Sequence, residues 1–289
     1  MDETRSALVG AAQMNCCLGD VDANLAIHHE LIREGRERRL ALLAFPELSL
    51  TGYDLGATVR EVAMKPDDPR LLALARASGE MLSVVGFVES VAPGEYANAA
   101  ACLRDGRVVA VHRKMNLCTY GGHEEGKLFR PGRQLTQAEA GGLACGVMIC
   151  ADLWNPGLAH AAMLRRPDLI VTPINSALGM VEGEFDDEAN WLACLRFYAM
   201  VYGTPIVMAH RDGEEKGGRF WGGSCIVGVD GHPLARAAAG SGIVSAVIDR
   251  ADIARARFAM PTHRDADTPL VASLLAAQLR EDASPPRHD

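Results

Sequence analysis

Three residues offer the most direct chemistry in this sequence: Glu47, Lys114 and Cys150. A thiol attacks a carbonyl carbon well only as the thiolate, so it needs a base beside it. A carboxylate serves as that base when apolar surroundings raise its pKa. Attack on an amide places negative charge on oxygen, which a fixed cation or N–H donor stabilises. Lys114 and the backbone N–H of Ala151 are candidates for that task. Each residue also has a plain structural reading. Cys150 ends an apolar run and reads equally as core. Glu47 beside Pro46 reads as a solvated turn carboxylate, and Lys114 as a surface cation.

The elements expected around the three residues treat them alike. Residues 41–45 read as a short strand that Pro46 stops, because proline cannot continue a central ladder. Residues 108–113 and 144–149 read as two more strands, followed by Lys114 and Cys150. Side chains just past strand ends converge on a common crevice in α/β sheets, so three residues far apart in sequence can meet. Elsewhere, strands are expected over 6–14, 82–89, 97–103, 169–173, 206–209, 224–229, 234–237 and 243–248. Asp105-Gly106 and Asp230-Gly231 are hairpin signals. Helices are expected over 21–38 with Asp20 as N-cap, and over 71–78, 158–165, 188–202 (closed by Gly203) and 268–279. Strands alternate with helices but hairpins are mixed in, which predicts mixed sheets covered by helices. No Pro/Gly/Ser-rich linker interrupts the chain. One domain over 1–289 is expected, with a core of about 6–262 and a C-terminal helix and tail over 263–289.

The net charge of −8 over 289 residues gives no electrostatic reason to bind nucleic acid or anionic lipid. No stretch approaches the ~18 apolar residues of a membrane span. The N-terminus carries no secretory pattern. The eight cysteines form no C-x-x-C pair, and most lie in apolar runs, where a reduced Cys acts as a small hydrophobe. This predicts a reducing, cytoplasmic setting and no metal site. His112 and His123 lie near the reactive positions and are read as structural.

The contexts are more specific than the residues. FPELSLTGY (45–53), HRKMNL (112–117) and GVMICADLWNP (146–156) resemble, in order, the three signature blocks of the nitrilase, or carbon–nitrogen hydrolase, superfamily. TYGGHEEGKLFRPG (119–132), FWGGSCIVGVDGHPLARA (220–237) and IDRADIARARFAMP (248–261) resemble its later segments, so the likeness spans about residues 6 to 262. It implies a four-layer α-β-β-α sandwich with two sheets inside and helices outside. It implies a Glu–Lys–Cys triad at Glu47, Lys114 and Cys150, with a second glutamate at Glu125 or its neighbour Glu124. It implies hydrolysis of a small-molecule amide through a thioester, with no cofactor, by a homodimer or higher homo-oligomer. Nitrile hydrolysis, N-carbamoyl amide hydrolysis and a non-catalytic binding or assembly role are the competing readings. Tyr53, Tyr120, Trp154, Asn175 and Ser176 are candidate pocket residues.

TYGGHEE and ICADLWNP are most similar to the branch that contains the glutamine-hydrolysing domain of NAD synthetase, and a chain ending at 289 is not expected to hold a synthetase domain. Ala151 follows the nucleophile where that branch often has an acid. The acidic segment 175–188 lacks Arg and Lys to receive an α-carboxylate. A neutral or cationic amide is therefore expected before glutamine.

Overall fold

The computed structural model describes residues 5–282, apart from 121–123, 180, 182–185 and 217. His123 lies outside the described residues. In chain order the strands are β1 (Ser6–Gln13), β2 (Leu42–Ala44), β3 (Leu82–Ala92), β4 (Glu95–Arg104), β5 (Arg107–Arg113), β6 (Thr136–Ala140), β7 (Leu143–Val147), β8 (Leu169–Ile174), β9 (Ile206–His210), β10 (Asp212–Glu215), β11 (Gly218–Trp221), β12 (Cys225–Val227), β13 (Pro233–Arg236) and β14 (Gly242–Asp249). The helices are α1 (Val21–Glu37), α2 (Val59–Val62), α3 (Pro69–Ser78), α4 (Glu125–Leu128), α5 (Pro156–Leu164), α6 (Asp187–Tyr202), α7 (Arg250–Ala259), α8 (Thr262–Asp265) and α9 (Thr268–Asp282).

Two six-stranded mixed sheets form the interior, ordered β14-β1-β2-β3-β4-β5 and β13-β12-β9-β8-β7-β6. Each has a parallel centre, β1-β2-β3 and β7-β8-β9, and antiparallel flanks. The central strands β2, β8 and β9 are buried along their whole length, as largely apolar strands covered on both faces must be. The sheets pack face to face, β1 on β9 and β2 on β8. Val9, Leu42, Val84, Val147, Ile170 and Val207 belong to one continuous core, which extends outward to Trp191 and Leu195 of α6. Leu31 and Ile32 of α1 and Leu71 and Leu74 of α3 cover the outside of the first sheet. The result is the four-layer α-β-β-α sandwich.

Local sequence explains the elements that frame the site. In α1, Val21, Asn24, His28, Leu31, Ile32 and Gly35 are buried at helical spacing, and Asp20 caps the helix by accepting the Ala23 N–H at 3.0 Å. Gly35 keeps its place because a Cβ there would lie only 3.1 Å from the Met81 sulfur and 3.2 Å from Leu43. Asp105 and Gly106 both have positive φ, the geometry of a type I′ hairpin turn.

Every expected strand and helix is present with shifted ends, whereas α2, α4, α7 and α8 were not expected. The third expected strand of the site, 144–149, closes at Val147, so Met148 and Ile149 carry the chain from the sheet to Cys150. Strands β6, β10 and β11 were not expected. Asp212–Glu215 is acidic and runs into the charged, glycine-containing KGGR, with neither apolar alternation nor β-branched residues to mark it.

Candidate functional site

Glu47 sits in the turn after β2. Leu48 holds φ +50°, and Gly86 of β3 packs beneath the turn, where an added Cβ would sit 2.4 Å from both the Leu48 nitrogen and the Pro46 oxygen. That approach is open only to glycine. Lys114 follows β5, with its N–H donating to the Asn98 carbonyl at 2.8 Å. Cys150 opens a single 3-10 turn after β7. Its φ of +45° lies in the left-handed region, a strained conformation for a non-glycine residue and one that recurs at functional sites.

The three side chains share one buried polar cluster. Lys114 Nζ donates to Glu47 Oε1 and to Glu125 Oε1, both at 2.7 Å. Asn98 Nδ2 also donates to Glu47 Oε1, at 2.6 Å. Glu47 Oε2 is buried without a hydrogen-bond partner. Glu125 is held in turn by the Tyr53 hydroxyl at 2.6 Å and the Cys118 N–H at 2.9 Å. Of the two adjacent glutamates, Glu125 is therefore the one that meets the lysine. Glu124 is exposed and pairs with Lys127. Lys114 has no solvent exposure and Glu47 has 1%.

This burial sets the protonation states. Desolvation raises the Glu47 carboxyl to about 7, against the lowering pull of Lys114. Burial pulls the Lys114 ammonium down, but Glu125 and Glu47 outweigh it and hold it well above its usual range. Its hydrogen bond with Cys118, then burial, push the Cys150 thiol well above the usual thiol range. The same bond lowers Cys118. The ground state is thus a thiol, a cation, and a carboxylate that exchanges protons near neutrality.

Asp152, absent from the sequence expectations, fixes the turn that carries Cys150 to the loop after Lys114. Its carboxylate accepts the N–H groups of Ile149 (2.9 Å), Met115 (2.9 Å) and Asn116 (2.8 Å), and His112 Nε2 lies 2.9 Å from it. Asn116 Nδ2 adds a bond to the Ala151 carbonyl at 2.7 Å. A sequence signal existed: a lone acid in the apolar run GVMICADLW needs buried donors. Asn98 was also missed, because nothing in ANAAACL marks one polar residue of a strand as facing a site.

A cavity of about 270 Å³ opens over the thiol, lined by Cys150, Asn116, Tyr120, Trp154, Asn175 and Ser176 among others. Four of the five expected pocket residues therefore border it. Tyr53, the fifth, borders a neighbouring cavity of about 320 Å³ together with Glu125, and Cys150 does not line it. Asn175 Nδ2 donates to the Glu47 carbonyl at 3.0 Å, and the Ser176 N–H donates to His210 Nε2 at 3.1 Å. Among the described residues no group of three or more His, Cys, Asp or Glu side chains is placed to hold a metal ion, and no helix is long and apolar enough to cross a membrane.

Known proteins share both sequence and architecture with this chain. A glutamine-dependent NAD(+) synthetase of Thermotoga maritima is 35% identical over 151 residues, 51% of this chain but only 26% of that protein. A probable nitrilase of Schizosaccharomyces pombe is 27% identical over 85% of this chain and 90% of its own length. An amidase of the nitrilase superfamily from Nesterenkonia AN1 superposes with a TM-score of 0.75 at 25% identity, covering 92% of this chain and 98% of its own. In a further structure of a variant of that amidase, the acetamide moiety of fluoroacetamide is covalently attached at the active-site cysteine. The family model for carbon-nitrogen hydrolases matches residues 8–258, which contain every part of the cluster just described. With the sandwich, the buried cluster and that match in agreement, the chain belongs to the carbon-nitrogen hydrolase family.

Proposed function

We propose that the protein hydrolyses the C–N bond of a small-molecule amide, with Cys150 as nucleophile, Glu47 as general base and Lys114 as oxyanion partner. The observation that carries this reading is the buried cluster itself: a lysine gripped by two carboxylates, beside a strained cysteine that borders a cavity. Glu47 Oε1 is committed to Lys114 and Asn98, which leaves Oε2 to take the thiol proton. A carboxyl near 7 accepts that proton at neutral pH and returns it in the next step.

Cys150 Sγ then bonds to the amide carbon. The oxyanion is held by Lys114 and the Ala151 N–H, a contribution worth roughly 10²–10³ in rate per donor. The C–N bond breaks, and ammonia or an amine leaves with the proton carried by Glu47. Water, deprotonated by the same carboxylate, cleaves the thioester and frees the acid. Glu125 keeps Lys114 aimed between its two partners. The covalent adduct on the Nesterenkonia cysteine supports a thiol as the reacting group. The residues form a single domain on this reading. A homodimer or higher homo-oligomer is part of it too, supported by the exposed leucines 270, 274, 275 and 279 of α9.

Ammonia release from simple aliphatic amides, glutamine, carbamoyl amines and nitriles tests the proposal. Wild-type protein is expected to turn over amides fastest, and Cys150→Ala to fall to background. A Cys150→Ala protein with full activity would end it.

A further inference from the structure

We propose that the cavity over Cys150 selects amides that carry a primary ammonium group, and that Asp187 is the residue that reads it. This rests on the hydrolase reading above and names its substrate class.

Asp187, the first residue of α6, borders the same cavity as Cys150 and is the sole charged side chain among its described lining residues. It is 4% exposed and has no ion pair among the described residues. Its Oδ2 accepts the Gly179 N–H at 2.9 Å. The cap of α6 is already supplied by Asp186, which accepts the Ala189 N–H at 2.9 Å, so Asp187 is not needed for that task. Its carboxylate is held by the Gly179 N–H and by its place in the first turn of α6, and a cation entering the cavity would supply the opposite charge that it lacks among the described residues.

The rest of the wall agrees. Asn175 Oδ1 is a second acceptor, buried and without a hydrogen-bond partner. A ligand that donates hydrogen bonds satisfies both groups. Trp154 and Trp191 meet edge to face at 5.0 Å, and their rings, like that of Tyr120, attract cations while covering an alkyl chain.

Among the described residues no Lys or Arg borders the cavity to receive an anion. Arg211 is buried but bound to Glu215, Lys127 pairs with Glu124, and Lys216 pairs with Asp54. None of the three borders the cavity. The segment 175–188 carries five acids and no Lys or Arg. A carboxylate on the substrate would enter unpaired beside Asp187. The reaction is therefore that of a short ω-amino amide with water, giving the ω-amino carboxylate and ammonium.

The test compares kcat/KM for three series of matched length. The first is 3-aminopropanamide, 4-aminobutanamide and 5-aminopentanamide. The second is butanamide, pentanamide and hexanamide, in which methyl replaces ammonium. The third is succinamate, glutaramate and adipamate. The best ammonium amide is expected to exceed its methyl isostere by about tenfold or more, the worth of a charge-assisted hydrogen bond. In Asp187→Asn, whose side chain keeps an acceptor for Gly179, that ratio should collapse to about one, and Asp187→Glu should recover part of it. A ratio within one protein is insensitive to how much of the variant folds. A wild-type ratio near one, a preference for the carboxylate series, or a ratio that survives Asp187→Asn would overturn the inference. Neutral amides cleaved without ammonium preference sink this inference and leave the hydrolase reading standing. No ammonia from any member, with Cys150 unacylated, removes both.

Discussion

Two regions meet at Cys150: a floor of charged groups that lies outside the cavity and is fixed from several sides, and a cavity wall that is aromatic and carries one carboxylate. On the floor, Lys114 has two carboxylate partners, Glu125 has three donors, and Asp152 collects three backbone N–H groups and His112. On the wall, Trp154, Trp191 and Asp187 come from the segment after the nucleophile and from α6. A network of this kind tolerates little change, because each lost partner leaves a buried charge or donor uncompensated. A wall of rings and one acid can change its preference while the reacting groups stay in place. On the proposed reading, the floor sets the reaction and the wall sets the substrate.

Breaking the floor should produce the largest effect. Lys114→Met removes the oxyanion cation and leaves Glu47 and Glu125 facing one another. A loss of roughly 10²–10³ in kcat is expected, with KM changed far less. Steady-state kinetics on an amide substrate checks it, and a change confined to KM would mean that Lys114 only binds.

Asp152→Ala comes next. It frees three buried N–H groups and unpairs His112, so the folded state should lose about 3–5 kcal/mol. Denaturant unfolding reads this, and kcat should fall as the nucleophile turn loosens. Unchanged stability would mean that the turn is held by something other than Asp152.

The pH dependence of the floor is smaller but diagnostic. Glu47 must be ionised to take the thiol proton, and its carboxyl is raised to about 7. kcat/KM should therefore fall tenfold per pH unit below about 7. Lys114 is held well above its usual range, so no loss is expected just above neutrality. A rate that stays flat down to pH 5 would argue against Glu47 as the base.

The same division governs what the sequence revealed. Glu47, Lys114 and Cys150 were legible because each follows an expected strand and sits in a block that resembles the family's signatures, and Glu125 from the resemblance alone. The sandwich was legible from the apolar runs together with the resemblance of the blocks around them. Asp152 and Asn98 were not, since a polar residue inside an apolar stretch does not announce its partners. The wall was least legible. Asp187 lies among five acids of one segment, and only packing distinguishes the one that borders the cavity from Asp186, which caps the helix, and Glu188, which pairs with Arg236 at the surface. The choice between Glu124 and Glu125 was settled in the same way, by which carboxylate reaches Lys114.

The central claim is that Cys150 carries the acyl group. The direct measurement mixes the protein with a substrate amide, quenches in acid during turnover, and records intact mass followed by peptide mapping. The account predicts a mass increase equal to the acyl group less one hydrogen, located on the peptide that holds Cys150 and absent from Cys150→Ala. An acyl group found on Cys118 or on another residue, with Cys150 unmodified while ammonia accumulates, would contradict it.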